Sequence, residues 1–239
     1  MIINNDVLLD LIESQRFGVE YQPIVDVQTN EIVSYEALSR FYTAEGVPIR
    51  PDHVYASLHA NPFSLYLVEY AQKKLQISNR PLSVPVFVNL DQDAFFASGL
   101  EGEQNPFVKL IRQQYDNSVV VELIENSEIN DALLSLAMIE TFSLMGVKTA
   151  LDDLCNPKSM LSIAVLQLVD VVKLDKHVLT KRGDQGYMEF VRKMIEFAHI
   201  AKKTVVLEGI ETISDFEFAR ELGVDHIQGF YFSSMFKKI

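Results

Sequence analysis

The sequence has a single cysteine and no excess of basic residues, and both features narrow the range of functions that the protein can have. Cys155 is the only cysteine among 239 residues, so no disulfide can form within the chain. Lys and Arg total 21 against 33 Asp and Glu, a net charge of −12. Polynucleotide-binding proteins carry a basic patch, and we find none, so we expect no polynucleotide partner. A phosphate ligand would need bound cations, because bare carboxylates repel it.

Long hydrophobic runs are also missing. No segment approaches the ~18 apolar residues that span a bilayer. Residues 1–13 lack both the basic region and the continuous apolar region of a signal peptide. We therefore expect a cytoplasmic protein with no membrane partner. The composition, 48% hydrophobic and 23% charged, is that of a globular protein, and the length suits one domain over residues 1–239.

What the chain does contain is a series of short runs rich in Val and Ile, each ending in an ionisable or amide side chain. Such runs are typical of buried parallel strands. A polar side chain is tolerated where a strand reaches its carboxyl end and a mouth opens to solvent. The shared polarity of these ends predicts one common site. The runs are Ile32–Glu36, Val86–Asn89, Val119–Glu122, Thr149–Asp153, Val171–Lys173, Val205–Glu208 and His226–Gln228.

The order of predicted strands and helices indicates an α/β fold. A turn at Thr29-Asn30 joins the first two strands, so we expect these to be antiparallel. Helices separate most of the later strands, which predicts a modified (β/α)₈ barrel of the TIM type with an irregular, partly antiparallel first strand pair. The predicted strands are Gly18–Val27, Glu31–Phe41, Val84–Leu90, Val119–Ile124, Val147–Leu151, Val169–Leu174, Thr204–Leu207 and His226–Phe232.

The predicted helices follow from apolar periodicity and from end signals. The residues Ile129, Leu133, Leu136 and Ile139 recur at helical spacing. A capping-box spacing at Thr212 and Asp215 begins the last helix. Residues Gln92 to Asn105 are expected to form a connection without a helix. The other predicted helices are Asn5–Gln15, Pro51–Ile77 with a break at Pro62, Pro106–Tyr115, Ser159–Leu166 and Asp184–Lys202.

The polar strand ends have the composition of a metal site. Glu36, Asn89, Glu122 and Asp152 offer only oxygen ligands, which favours Mg²⁺, Mn²⁺ or Ca²⁺ over zinc. The pair Asp152-Asp153 would let one carboxylate bridge two ions ~3.5–4 Å apart, the arrangement of phosphodiester hydrolysis. Strand alternation points Lys173 into the same mouth.

In this order, the motifs resemble the EAL-domain family of cyclic di-GMP phosphodiesterases over nearly the whole chain. One three-letter match is weak, but the complete series at strand ends is a specific signal. The matching segments are Tyr21–Asp26, Glu36-Ala37-Leu38 with Ser39-Arg40, Val88–Leu90, Glu122–Glu125, Ala150–Asp153, Val172–Asp175, Glu208–Thr212 and Gln228–Ser233.

The resemblance implies hydrolysis of one phosphodiester bond of cyclic di-GMP to linear pGpG, with Mg²⁺ or Mn²⁺ in a two-metal site. By this match Glu36, Asn89, Glu122 and Asp152 would hold one metal, and Asp152, Asp153 and Glu208 the other. Lys173 would orient or help deprotonate the attacking water, and Glu208 and Glu211 would complete the catalytic set. Gln22, Arg40 and Gln228 match substrate-binding positions, and Glu125 would anchor the loop after Asp153.

The chain departs from the family pattern in that loop. Where the family reads Phe-Gly-Thr-Gly-Tyr-Ser-Ser-Leu, this chain has Leu154–Leu161, and only Ser159 and Leu161 match. Cys155 and Pro157 replace the two glycines. In the family this loop is tied to metal binding and dimerisation, so a homodimer is one expected assembly.

Three hypotheses stay open at this point. The first is an active cyclic di-GMP phosphodiesterase, which the complete ligand set favours. The second is a catalytically weak or inactive module that binds cyclic di-GMP or a regulatory protein partner, which the altered loop favours. The third is a barrel of the enolase type, which also combines strand-end carboxylates, Mg²⁺ and a lysine, but the Glu36-Ala37-Leu38 and Glu208–Glu211 matches disfavour it.

Overall fold

Seven parallel strands and one antiparallel strand form a closed barrel surrounded by helices. The computed structural model describes residues 3–113, 118–123, 129–158 and 161–239. The strands are β1 Phe17–Asp26, β2 Ile32–Tyr42, β3 Pro48–Ile49, β4 Val86–Asn89, β5 Val119–Leu123, β6 Lys148–Leu154, β7 Val171–Leu174, β8 Thr204–Leu207, β9 His226–Gln228 and β10 Lys237–Lys238. The α-helices are α1 Asn5–Ser14, α2 Pro51–Leu58, α3 Pro62–Ser78, α4 Gln92–Ala97, α5 Pro106–Arg112, α6 Ile129–Leu144, α7 Ile163–Leu168, α8 His177–Thr180, α9 Gln185–Ile200 and α10 Ile213–Leu222.

The strand order confirms the predicted fold class. Strands β2, β4, β5, β6, β7, β8 and β9 follow one another with parallel pairing. Strand β1 closes the barrel between β9 and β2 and is antiparallel to both. The ladder of β1 with β2 shifts register between Ile24 and Val25, which is the expected irregularity of the first pair. The two-residue strands β3 and β10 extend the sheet beyond the barrel.

The apolar core has two parts, separated by the barrel wall. A small cluster fills the barrel itself, and a larger one lies between the strands and the helices. Because side chains alternate along a strand, β1 and β4 to β8 each contribute to both clusters. The inner cluster consists of Ile24, Phe87, Val120, Ala150, Val171 and Val206.

Some predicted elements end elsewhere in the structure. The connection over residues 92–105 contains α4, whose first turn is capped by the Asp91 carboxylate accepting from the Ala94 N–H. The last strand was predicted to reach Phe232 but ends at Gln228, and a 3₁₀ helix follows over Phe230–Met235. At Gly229 the backbone passes so close to Ile210 that a Cβ would lie 2.0 Å from its carbonyl oxygen. At this close approach the chain leaves the sheet.

The predicted helix-end signals agree with the structure better than the predicted buried faces of the helices do. Thr212 and Asp215 form the expected capping box of α10. In α6, Ile139 is buried, but Leu133 is 61% exposed, because the buried face runs through Met138 and Phe142 instead. The helix predicted to begin at Ser159 begins at Ile163 with Ser162 as its cap, and residues 159–160 lie outside the described chain. In the described ranges, no helix combines the length and the apolar character needed to cross a membrane.

Candidate active site

A polar layer lies directly above the apolar cluster inside the barrel. Asn89 follows Phe87 by two residues along β4, and Glu122 follows Val120 in the same way along β5. Two residues is the side-chain repeat of a strand, so each polar residue faces inward above an apolar one. The same spacing relates Asp152 to Ala150, Lys173 to Val171 and Glu208 to Val206. The polar ends predicted from sequence therefore converge on one mouth.

Lys173 is the centre of this layer. Its side chain is fully buried, and its Nζ lies 2.6 Å from Glu208 Oε1 and 3.2 Å from Asp152 Oδ1. It also lies 3.3 Å from Glu36 Oε2 and pairs closely with Glu122 Oε1. One ammonium thus faces three carboxylates from β2, β5 and β6 and a fourth from the residue that follows β8. One ammonium cannot balance four ionised carboxylates, so full ionisation of the site calls for a bound cation.

Burial and neighbouring charges together set the pKa values of these groups. Burial by itself lowers the pKa of Lys173, but the surrounding carboxylates outweigh it and raise this pKa well above its ordinary value. Burial raises the pKa of Glu122 well above its usual range, and the neighbouring carboxylates add to this while Lys173 opposes it. For Glu36, burial is outweighed by Lys173 and by hydrogen bonds from Gln228 and Asn89, so its pKa is lowered.

Three carboxylates at the rim form a cluster of the size of a metal site. Asp152, Asp153 and Glu208 each offer an oxygen within 4.8 Å of the others. Burial, with repulsion from Asp152, raises the pKa of Glu208 to about 8. Burial and the neighbouring Asp152 and Asp175 raise the pKa of Asp153 to about 7. Like charges held this close favour a proton or a bound cation between them.

The donor set fits hard divalent cations. Glu122 Oε2 is buried and has no hydrogen-bond donor within the described part of the chain, and Oε1 has only the Lys173 ammonium. A buried carboxylate oxygen without a donor is costly unless a cation satisfies it. All the neighbouring ligand atoms are oxygens, the type that Mg²⁺, Mn²⁺ and Ca²⁺ bind.

Amide side chains orient Glu36 at this site. Asn89 Nδ2 donates to Glu36 Oε1 at 2.8 Å, and Gln228 Nε2 donates to Glu36 Oε2 at 2.5 Å. Glu36 is paired with Gln22 across the β1–β2 ladder, and Gln22 is half-buried. Two of the amides predicted for the site therefore bind one carboxylate, and Gln22 lies beside that residue on the neighbouring strand.

Arg40 lies on the predicted strand but is bound to a residue that the sequence analysis missed. Its Nη2 donates to Glu20 Oε1 at 2.8 Å, and its Nη1 donates to the Ser39 carbonyl oxygen. Lys238 on β10 pairs with the other oxygen, Glu20 Oε2, at 2.8 Å. Glu20 precedes Gln22 by two residues on β1, and this alternation was the signal that would have identified it.

Of the two remaining predicted residues, Glu211 lies outside the group around Lys173. Glu211 is exposed, and its backbone N–H donates to Asp215 Oδ2 in the turn that begins α10. Its catalytic role stays a prediction, because its carboxylate is not one of the four that pair with Lys173. Glu125, the predicted loop anchor, lies outside the described residues.

The loop after the paired aspartates has an unusual backbone. Asp153 has a φ of 56° and Cys155 a φ of 71°, both in the left-handed region that favours glycine. The Asp175 N–H donates to the Leu154 carbonyl oxygen at 2.9 Å, and the Tyr187 hydroxyl donates to the Cys155 carbonyl oxygen at 2.7 Å. This loop thus adopts a backbone conformation that favours glycine, although it contains no glycine between Asp153 and Lys158.

Comparisons with known proteins agree with this geometry. The family model described as "EAL domain" matches residues 5–235. A probable cyclic di-GMP phosphodiesterase, PdeB of Escherichia coli, is 28% identical over 97% of this chain and 45% of its own length. An uncharacterized protein of Azorhizobium caulinodans is also 28% identical, over 94% of this chain and 32% of its own length. The chain thus spans less than half the length of these curated relatives.

Solved structures share the fold. An EAL domain protein of Listeria monocytogenes has a TM-score of 0.74 at 24% identity, covering 97% of this chain and 93% of its own. The EAL domain of Pseudomonas aeruginosa FimX, bound to c-di-GMP, has a TM-score of 0.77 at 17% identity, covering 95% and 93%. The Bacillus subtilis YkuI protein, in complex with c-di-GMP and calcium, has a TM-score of 0.75 at 20% identity, covering 94% and 57%. The family model covers nearly the whole barrel, and this chain belongs to the EAL domain family.

Proposed function

We propose that this barrel hydrolyses one phosphodiester bond of cyclic di-GMP to give linear pGpG. The observation that carries the proposal is the buried Lys173 ammonium within reach of four carboxylates, beside the Asp152, Asp153 and Glu208 cluster. Membership of the EAL domain family and the c-di-GMP bound in the FimX and YkuI structures support the choice of substrate. The substrate is an intracellular second messenger, so we propose a cytoplasmic location.

Two divalent cations, Mg²⁺ or Mn²⁺, complete the proposed site. Glu36, Asn89, Glu122 and Asp152 would hold one, and Asp152, Asp153 and Glu208 would hold the other. When bound, the cations supply the positive charge that stabilises a phosphodiester under attack and that activates water. The calcium in the YkuI structure supports a site for hard cations.

The protein's own groups position the reactants. Lys173 Nζ donates to Glu36 and faces Glu208, so it is held rigidly at the floor of the mouth. From this position it would orient the attacking water or a phosphate oxygen as a fixed positive charge. A rigid, water-poor surrounding makes such a charge more effective than it is in bulk water.

The proposed substrate contacts lie around the same mouth. Gln22 and Gln228 flank Glu36, and Arg40 stands further along β2 toward the rim. The guanidinium of Arg40 offers a planar pair of donors that suits a phosphate group. We propose that Glu211, at the edge of a groove of about 520 Å³ with Asp175 and His177, borders the bound substrate.

A second candidate function is a receptor or protein-interaction module without turnover. The observation that favours it is the left-handed backbone at Cys155, next to the aspartates of the cluster. A poorly held Asp153 would bind the second cation weakly and leave substrate binding intact. In that case the nucleotide-bound state would be recognised by a regulatory protein partner. A second copy of the chain, bound through the loop after Asp153, could take the same role.

One assay separates these functions. Purified protein is incubated with cyclic di-GMP and Mg²⁺ or Mn²⁺ at alkaline pH, and pGpG is measured by chromatography. We expect product with either metal and none after chelation. The substitutions Glu36→Gln and Asp153→Asn should reduce turnover to background while the thermal transition is kept. Glu217→Gln, at an exposed position on α10, is the matched control and should keep the wild-type rate.

The other outcomes are equally informative. Calorimetry with cyclic di-GMP accompanies the assay. Binding without product under both metals would reject the enzyme and favour the receptor. Neither binding nor product would favour a protein-interaction module. Wild-type rates in Glu36→Gln or Asp153→Asn would refute the metal assignment.

A further inference from the structure

The turn that carries Asp153 needs an outside support. Asp153 and Cys155 both have a positive φ, at 56° and 71°. A side chain in this region brings its Cβ close to the following carbonyl group, so residues other than glycine adopt it at a steric cost. Leu154, between them, is buried in the core and cannot shift freely. Contacts from outside the turn must hold it in this conformation.

Two successive carbonyl groups of the turn are held by neighbouring elements. The Asp175 N–H, just after β7, donates to the Leu154 carbonyl oxygen at 2.9 Å. The Tyr187 hydroxyl donates to the next one, at Cys155, at 2.7 Å. The first contact continues the β6–β7 pairing and is expected for adjacent strands. The second comes from a helix 32 residues away along the chain, and no strand pairing requires it.

Tyr187 is itself well fixed. It lies in the first turn of α9, where its N–H donates to the capping Asp184 carboxylate at 3.1 Å. Its ring meets the His177 ring edge-on at 5.8 Å between centroids. Burial raises the pKa of Tyr187 to about 12, so the hydroxyl keeps its proton and acts as a donor at neutral pH. The side chain therefore connects a rigid helix to the strained turn.

We propose that Tyr187 is a positioning residue for the metal-binding aspartates. Its hydrogen bond holds the turn in a conformation that a glycine at position 155 would adopt without steric cost. The inference rests on the proposed function, because it assumes that Asp152 and Asp153 hold cations. In this role Tyr187 itself binds neither the substrate nor a cation. It acts through the Cys155 carbonyl group, which fixes the turn and so the direction of the Asp153 carboxylate.

The test combines two substitutions that each change one part of this arrangement. Tyr187→Phe removes only the hydroxyl, and Cys155→Gly removes the steric cost. Mn²⁺ binding is measured by calorimetry without nucleotide, and turnover of cyclic di-GMP is measured over a range of Mn²⁺ concentrations. We expect Tyr187→Phe to weaken Mn²⁺ binding by about 3- to 10-fold, the equivalent of one hydrogen bond. Its turnover should recover at high Mn²⁺.

The double variant carries the decisive prediction. In the Cys155→Gly background, Tyr187→Phe should change Mn²⁺ binding by less than about 2-fold, because glycine needs no support there. Tyr70→Phe on α3 is the matched control, since it makes the same chemical change on a different element, and it should leave Mn²⁺ binding unchanged.

Two results would overturn the inference while the proposed function stands. One is unchanged Mn²⁺ binding in Tyr187→Phe, when the unmodified protein binds Mn²⁺ and forms pGpG. The other is an equal loss in both backgrounds, which would mean that the hydroxyl does not compensate for the missing glycine. If the unmodified protein neither binds Mn²⁺ nor forms pGpG, the proposed function fails and this inference fails with it.

Discussion

Arg40 donates to Glu20 Oε1 at 2.8 Å, and Lys238 pairs with the second oxygen of the same carboxylate at the same distance. Glu20 is nearly buried, while Arg40 is 29% and Lys238 73% exposed in their side chains. One acidic residue of β1 thus joins the rim of β2 to the last strand, β10. The charge that we propose for substrate binding is partly neutralised before substrate arrives.

The first prediction concerns this pairing. Glu20→Gln removes a negative charge beside the phosphate-binding face and frees the Arg40 guanidinium. We expect the KM for cyclic di-GMP to fall by about two- to fivefold, the range of a partly exposed ion pair, with little change in kcat. Initial rates at saturating Mn²⁺ measure both constants.

Lys238→Ala provides the opposite change. Without Lys238, the Glu20 carboxylate is less neutralised and holds Arg40 more strongly, so KM should rise. Salt at 0.5 M should reduce both shifts, because the groups are partly exposed. A higher KM in Glu20→Gln would show instead that Glu20 holds Arg40 in its binding position.

The second prediction separates the contribution of Lys173 to stability from its proposed contribution to catalysis. In metal-free protein, Lys173→Met leaves four carboxylates without their cation. Removing one partner of a buried ion pair costs about 3–5 kcal/mol, so the thermal midpoint should drop sharply. Mn²⁺ should restore the midpoint by replacing the lost charge, but turnover should stay at background. Thermal melts with and without Mn²⁺, together with the pGpG assay, check this.

Lys73→Met is the matched control for that experiment. Lys73 is also buried and pairs with Glu69 at 3.1 Å, but within α3. Its loss should lower the thermal midpoint, and Mn²⁺ should not restore it. Restoration of turnover in Lys173→Met by Mn²⁺ alone would contradict a direct role for the lysine.

The sequence predicted the mouth well because strand alternation is local. The spacing of two residues from Val120 to Glu122 or from Val171 to Lys173 is visible in the chain itself. Alternation also explains why Glu36, Asn89 and Gln228, from three separate strands, meet where expected.

Contacts that depend on tertiary distance were not visible. Nothing near Tyr187 in the sequence indicates that its hydroxyl reaches Cys155, and nothing near Arg40 indicates Lys238. The end of the last strand at Gln228 also follows from a close approach of two backbones, at Gly229 and Ile210. These features arise only once the barrel has closed.

The third prediction concerns pH. In metal-free protein the pKa of Asp153 is raised to about 7 and that of Glu208 to about 8. At neutral pH Glu208 is therefore mostly protonated and Asp153 about half protonated, and a cation must displace these protons. We expect the apparent affinity for Mn²⁺ to rise between pH 6 and about 9 and to level off above that, where both carboxylates are ionised. Calorimetric titrations across this range measure it.

The stability of the metal-free protein should show the opposite trend. A carboxyl group whose folded pKa is raised binds its proton more tightly in the folded chain, so the folded state loses stability as pH rises from about 4 toward 8 through these groups. Asp153→Asn should make the metal-free stability less dependent on pH between about 4 and 7. A wild-type Mn²⁺ affinity that is flat from pH 6 to 9 would contradict the proton competition.

The fourth prediction concerns the backbone contact that ends β9 beside the site. A Cβ at Gly229 would lie 2.0 Å from the Ile210 carbonyl oxygen and 2.3 Å from its nitrogen, so Gly229→Ala must push apart the β8–α10 loop and the chain after Gln228. Overpacking of this kind costs about 1–3 kcal/mol or more. Because Gln228 donates to Glu36, the shift should also weaken substrate turnover beyond the loss of stability. Gly183→Ala is the matched control, since no atom lies within 4 Å of its added Cβ. Denaturant unfolding and the pGpG assay below the transition distinguish the two effects, and equal stability of the two variants would show that the loop moves freely away from Gly229.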